Sequence, residues 1–298
     1  MPNPSPKELN GRELAGFIKE RQFHRVTSLK GQKIFPKLCI LRDNDDPVIE
    51  TYVRLKRRYG EDIGVSVDDI VVKNTDELQT AIDRANHAPD VSALIIQLPL
   101  KTLPPEPKSP PTASEAPGTA SRKTPDTPES SLDALLAKIA PEKDVDGLSK
   151  TGAFDSATAT AILWLLAGYD IDLSGKKIAL VGRGRLVGAP LYRMLKNSGN
   201  SVELFHRGSD LEKLTAFDII ITATGVPGLI KSAYLKPGAV VVDAGTASED
   251  GVLKGDLDEA ARARPDLKAL TPKLGGVGPL TISVLFENVI TAAERQNP

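Results

Sequence analysis

The sequence predicts an α/β fold built from two successive strand–helix arrays, and three observations predict it. Apolar runs rich in β-branched residues, such as IFPKLCIL at 34–41 and VSALIIQL at 91–98, alternate with segments whose apolar residues recur every three to four positions. A glycine turn, Gly182, Gly184 and Gly188, stands directly after one such run and at the head of a helical segment. Between the arrays lies a stretch, 101–130, with eight of the chain's 23 prolines and no Ile, Val, Phe, Tyr or Trp.

Each element follows in order. Residues 10–30 read as a loosely patterned helix and 34–41 as a buried strand. Pro47 opens a helix in which Val48, Thr51, Tyr52, Leu55 and Tyr59 recur at helical spacing, with Gly60 and Gly64 ending it. A second strand is expected at 65–72. A helix follows from Thr75 to about Asn86, then a strand at 91–98 dense enough in Ile and Leu to lie inside a parallel sheet. The Pro-rich stretch cannot offset its ordering entropy by burial, so it is expected as a mobile surface insertion, open to a partner-binding extended segment. Helix resumes at 132–139, PEKDVDGL at 141–148 is a polar loop, and 157–167 is an apolar helix with Trp164 in the core. The second array reads strand 177–181, glycine turn, helix 186–197, and strands at 201–205, 218–222 and 239–243. A short closing strand at 270–271, a rigid turn at 275–278 and an amphipathic helix at 281–293 complete the chain. No internal repeat is evident.

Composition narrows the classes. With 298 residues, 40% of them apolar, the chain can bury one large core or two modest ones. A formal net charge of −1 lacks the basic excess of a nucleic-acid binder. The single cysteine, Cys39, sits in an apolar run and is expected as a buried, inert thiol in a reducing compartment. No apolar stretch has the length of a membrane span and the first residues lack a signal-peptide core, so no membrane association and a cytoplasmic location are the expectation. The three histidines, His24, His87 and His206, are scattered, and no metal site is expected.

The glycine turn carries chemistry. Glycines there let the backbone approach a pyrophosphate, whose charge is met by free N–H groups and the positive end of the helix dipole. The spacing G-x-G-x-x-x-G is one residue longer than the common fingerprint, and a phosphate-free structural turn is the alternative. With its strand–turn–helix context it predicts a Rossmann-like NAD(P)-binding unit. Arg207 stands just past the second strand, where an NAD site places a carboxylate, and Arg183 lies within the turn. Arginines can meet a 2′-phosphate, which favours NADP over NAD. Both could instead be solvated, and Glu203 argues for NAD if the strand ends early.

Five separated pieces, TYVRLK, LIIQLPL, PEKDVDG, GRGRLVGAPL and TPKLGGVGPLT, occur in an order that resembles the bifunctional methylenetetrahydrofolate dehydrogenase/cyclohydrolase family across most of the chain. The resemblance implies two α/β domains around a cleft: a folate-binding catalytic part, 1–147 with 275–298, and a Rossmann-like NADP-binding part, 148–274. It implies tetrahydrofolate derivatives as substrates, NADP as cofactor and a homodimer. By the same resemblance Lys56, Tyr52 and Gln97 are catalytic, and Asp146, Gly276 and Pro279 bind the folate. Gly182, Arg183, Gly184, Gly188 and Arg207 are expected to hold the nucleotide.

The residues admit these roles on their own terms. Tyr52 and Lys56 are four apart and stack on one helix face, where a partly buried lysine near Gln97 can exchange a proton during attack of water on a methenyl carbon. The bland alternative is a solvated cation. Asp146 can accept paired N–H bonds from an aminopyrimidine edge, or simply form an Asp turn before Gly147. The chain departs from the family where a serine is usual, at Ile49 and Gly184. It also carries Lys273 and Leu274 in place of valine and proline, has Ala247 at the end of a D-x-G-x-N segment, and lacks a P-C-T-P-x-G segment after DVDG. A single-activity enzyme, or a non-catalytic protein binding a partner through 101–130, are the alternatives these departures raise.

Overall fold

The computed structural model describes residues 5–103, 130–249 and 252–297. Most of the Pro-rich stretch, and with it the expectation of a mobile insertion, lies outside the described residues.

A short strand, β1 (Lys7–Glu8), precedes helix α1 (Gly11–Gly31), which is capped by the side chain of Asn10 accepting from the Arg12 and Glu13 amides. Strand β2 (Lys37–Arg42), helix α2 (Pro47–Ile63), strand β3 (Ser66–Val71), helix α3 (Thr75–His87) and strand β4 (Ala93–Ile96) form the first array. Its three strands are parallel in the order β3-β2-β4. Asp46 caps α2 with Pro47 in the first turn, where its missing N–H costs nothing. Gly60 does not end this helix. It lies within α2, where an added Cβ would stand 2.6 Å from Val67 Cγ2, so its role is close approach to β3. Gly64, at φ 83°, supplies the left-handed cap.

After helix α4 (Ser131–Leu136) the chain enters helix α5 (Ala157–Gly168), apolar on all sides and therefore buried, with Trp164 packed against the core as expected. The second array runs β5 (Lys177–Val181), α6 (Gly188–Asn197), β6 (Ser201–Phe205), β7 (Ile219–Thr222) and β8 (Val240–Asp243). A hairpin of β9 (Ala247–Glu249) and β10 (Val252–Lys254), helix α7 (Glu259–Arg262), strand β11 (Ala269–Leu270) and helix α8 (Val277–Gln296) follow. The large sheet has the order β1-β11-β8-β7-β5-β6, parallel throughout. The strand order reverses at the boundary of β5 and β7, and ligands of such sheets bind at the carboxyl ends of the strands there.

Two elements join the arrays. Helix α8 packs on α1 and α5, and its buried face runs through Leu280, Val284, Val289 and Ile290. Its first turn already includes Gly278 and Pro279, so the expected rigid turn is shorter than 275–278. Strand β1 carries the N-terminus onto the large sheet through Ala269 and Leu270.

Candidate active site

Lys56 projects from the middle of α2, on the strip that also holds Tyr52 and Tyr59; all three are half-buried beside the fully packed Ile49 and Val53. The usual family serine is thus replaced at Ile49 by a core residue. Lys56 Nζ donates to Gln97 Oε1 at 2.5 Å. Gln97 follows β4, where its amide extends the ladder to Leu41 O, and its Nε2 donates to Leu98 O at 3.0 Å. That second bond leaves Oε1 facing the lysine.

The third member arrives on the loop after α4. Lys143 is buried and its Nζ donates to three carbonyls, Ala85, Asn86 and Ala88, at 2.9 Å each, closing the C-terminus of α3. Asn288 of α8 donates to Val145 O at 2.9 Å. Gly147, at φ 65°, then reverses the chain, and a Cβ there would meet Asp155 C at 2.5 Å. Asp146 is pinned between these anchors. Burial pushes its carboxyl up to about 6; the Lys56 charge works against that rise and Asp144 adds to it. Burial likewise drives Lys56 down from the ordinary lysine value, opposed by Asp146. Lys56 is thus half-buried, bonded to Gln97 and within electrostatic reach of Asp146, and the surface-cation alternative for Lys56 is set aside.

That group adjoins the glycine turn. The Ala157 amide donates to Asp146 O at 3.4 Å, and Ser156, the cap of α5, donates to Leu186 O inside the turn at 2.8 Å. Gly182, at φ 113°, closes on the end of β7, where a Cβ would stand 2.5 Å from Ala223 O. A Cβ on Gly188 would stand 2.1 Å from Gly182 O, whereas Gly184 faces open space. Helix α6 has no side-chain cap, although the Ala189 amide in its first turn donates to Gly184 O at 3.0 Å. This donor set fits a pyrophosphate. Strand β6 ends at Phe205, which places Glu203 two residues inside it and removes the sequence argument for NAD. Arg183 and Arg207 are exposed, and among the described residues neither guanidinium is hydrogen-bonded or ion-paired.

The turn that opens α8 is tightly made. Gly276 caps α8 and is buried; a Cβ on Gly11 would lie 1.8 Å from Gly276 O, and the Arg12 amide donates to Gly275 O at 3.0 Å. Pro279 is half-buried in the first turn of α8, while Lys273 and Leu274 are exposed.

Sequence reasoning missed several supports. Arg185 in the glycine turn bonds Asp133, and donates to Ser130 Oγ at 3.3 Å, which ties the turn to α4. Asp256 accepts from Thr222 Oγ1, and from the amides of Thr224 and Val226 at 2.7 and 3.0 Å. Asp243 accepts from Gly245, Asp256 and Leu257 amides and pairs with Arg262. These carboxylates hold the loops beyond β7 and β8. The only signal in the sequence was a glycine beside each, Gly255 and Gly245, where a Cβ would strike the opposite carboxylate. Among the described residues no group of His, Cys, Asp or Glu could hold a metal ion, and no helix is long and apolar enough to cross a membrane.

Two family models match the chain: the tetrahydrofolate dehydrogenase/cyclohydrolase catalytic domain at residues 9–108 and its NAD(P)-binding domain at 156–297. The bifunctional protein FolD of Lactobacillus delbrueckii subsp. bulgaricus is 35% identical over 303 residues, spanning 97% of this chain and 98% of that protein. A FolD methylenetetrahydrofolate dehydrogenase/cyclohydrolase from Campylobacter jejuni superposes with a TM-score of 0.82 at 30% identity, covering 98% of this chain and 99% of its own. The Trypanosoma brucei enzyme, solved with NADP cofactor and inhibitor, gives 0.82 at 28% identity and covers 98% of each chain. The bifunctional names of these relatives lend no support to a single-activity or non-catalytic alternative. By matched domains, ordered motifs and near-complete coverage, the chain belongs to the tetrahydrofolate dehydrogenase/cyclohydrolase family.

Proposed function

We propose that one cleft of this chain carries both reactions of its family, with Lys56 moving the proton in the hydrolytic step. The chain oxidises 5,10-methylenetetrahydrofolate to the 5,10-methenyl form with NADP, and hydrolyses the methenyl compound to 10-formyltetrahydrofolate. The observation that carries the assignment of Lys56 is its partly buried bond to Gln97, within electrostatic reach of Asp146.

In the hydrolytic step water attacks the methenyl carbon and must lose a proton. A lysine whose pKa burial has lowered keeps more neutral amine near neutral pH to take that proton. Gln97 Oε1 holds the ammonium that results, and the same ammonium returns the proton when the ring carbon–nitrogen bond breaks. Tyr52, one helical turn away, orients the ring. Asp146 accepts N–H bonds from the aminopyrimidine edge, and Gly276 and Pro279 offer the folate a surface free of long side chains. Gly182, Gly184 and Gly188 admit the nucleotide's pyrophosphate, and Arg183 and Arg207 reach its 2′-phosphate. NADP, when bound, accepts the hydride from the methylene carbon. The folate's own nitrogens stabilise the cation left behind, so the chain's part in oxidation is to orient the two reactants.

Residues 1–147 with 275–298 form the folate part in this account, apart from strand β1, which lies on the large sheet, and 148–274 form the nucleotide part. The family resemblance and the single buried cysteine support a cytoplasmic homodimer in one-carbon metabolism feeding purine biosynthesis, and the composition of 101–130 supports a surface partner there. Light scattering reads the dimer, and deletion of 104–128 reads the partner. For the chemistry, Lys56→Met is expected to lower cyclohydrolase turnover by about 100-fold or more with the fold intact. Unchanged hydrolysis of the methenyl compound by that variant would remove Lys56 from the mechanism.

A further inference from the structure

One turn beyond Lys56, on the same strip of α2, the Tyr59 hydroxyl meets two other helices. We propose that Tyr59, with Gln22 and Ser283, forms a positioning triad that sets where the Lys56 amine stands relative to the Gly276–Pro279 turn. The inference rests on the proton-transfer role given to Lys56.

The contacts form a continuous chain. Tyr59 Oη donates to Gln22 Oε1 of α1 at 2.7 Å and lies 3.1 Å from Ser283 Oγ of α8. Ser283 Oγ also lies 3.3 Å from Pro279 O, one turn earlier in α8, and its single proton serves either that carbonyl or the Tyr59 oxygen. Gln22 Nε2 donates to Ser283 O and to Glu287 Oε2 at 2.9 Å each, so both ends of its amide are used. Arg25 holds Glu287 and Glu294 behind it at 2.5 and 2.6 Å. Gln22 and Ser283 are fully buried. The Tyr59 ring is fixed by Phe286, with centroids 5.0 Å apart, and by Lys19 Nζ 5.2 Å from its centroid.

Burial alone does not determine this geometry. Apolar contacts between helices are non-directional, and helices that share only such contacts can slide without losing much buried area. A polar chain packed between helices favours one register, because a slip strands its donors and acceptors in a low-dielectric interior. The register matters here because α2 carries the amine while α8 begins at the folate turn. Burial holds the Tyr59 phenol up at about 12, so the hydroxyl keeps its proton across the working range and the link does not titrate there.

Tyr59→Phe keeps the ring and its Phe286 contact and removes only the hydroxyl. The expected result is a cyclohydrolase kcat about tenfold lower, a fraction of the roughly 100-fold that a 1 Å misplacement can cost. The KM for NADP should stay within about twofold and the dehydrogenase kcat within about threefold, because hydride transfer does not pass through Lys56. Ser283→Ala, which leaves Tyr59 bonded to Gln22, should show the same pattern at smaller size. Thermal unfolding of each variant reports any general loss of structure. Lower melting temperature with unchanged hydrolysis, or an equal fall in both activities, overturns the triad as a positioning device. Lys56→Met is assayed alongside. If it abolishes hydrolysis while Tyr59→Phe does not alter it, only the present inference fails; if Lys56→Met leaves hydrolysis intact, both fail.

Discussion

Asp146→Asn separates what this site costs the fold from what it gives the reaction. In the folded chain burial raises the Asp146 carboxyl to about 6 from an ordinary 3.8. A folded pKa above the unfolded one means that the native state resists ionisation. The penalty is absent below the unfolded value, grows as pH rises toward about 6, and is constant above it. A separation of about two pKa units puts the penalty at about 3 kcal/mol at pH 8 and at about half that at pH 5. Asparagine has nearly the shape of the neutral carboxyl and no charge to bury. The variant should therefore be more stable than the parent by up to about 3 kcal/mol at pH 8, and by about half that at pH 5. Urea denaturation at the two pH values measures both differences. The KM for methylenetetrahydrofolate should rise about tenfold or more at pH 8, since an amide cannot accept two N–H bonds as a carboxylate does. Equal stabilities at pH 8, or a difference independent of pH, would refute the claim that Asp146 is held ionised against its surroundings.

Other variants test the remaining parts. Gly188→Ala forces a Cβ to 2.1 Å from Gly182 O, so the turn must open; NADP binding measured by fluorescence titration should weaken by about tenfold or more, with cyclohydrolase activity retained. Arg207→Ala should raise the KM for NADP by about tenfold, as for the loss of one charge-assisted bond of roughly 1.4 kcal/mol, and leave the KM for NAD unchanged. A parallel rise for both nucleotides would place Arg207 away from the 2′-phosphate.

Local pattern was sufficient for the elements whose cause is local. The strands 177–181 and 201–205 were read with the bounds they have, because each is a short apolar run ended by turn residues. The helix from Pro47 was located by that proline and its apolar spacing, yet Gly60 was misread as a stop, and only the 2.6 Å approach of Val67 shows why a glycine stands inside the helix. The strand Lys7–Glu8 has no strand pattern at all and exists because Ala269 and Leu270 offer it an edge. The first turn of α8 was missed for a related reason. Its start is fixed by Gly11 packing on Gly276, a contact between residues far apart in the chain.

The candidate site divides the same way. Lys56, Tyr52 and Gln97 were picked out by the family resemblance, and helical periodicity supported the first two by stacking them on one face. Nothing local marked Tyr59, whose partners lie 37 and 224 residues away, or joined Arg185 to Asp133 across 52. By itself the sequence determined the alternation of strands and helices and the family, and through the family resemblance it offered Lys56 as the candidate reacting amine. Tertiary structure decided the depth at which that amine and Asp146 are buried, and hence the direction in which each titrates. The energy of a charge depends on every neighbour that excludes water from it, and those neighbours are brought together only by the fold.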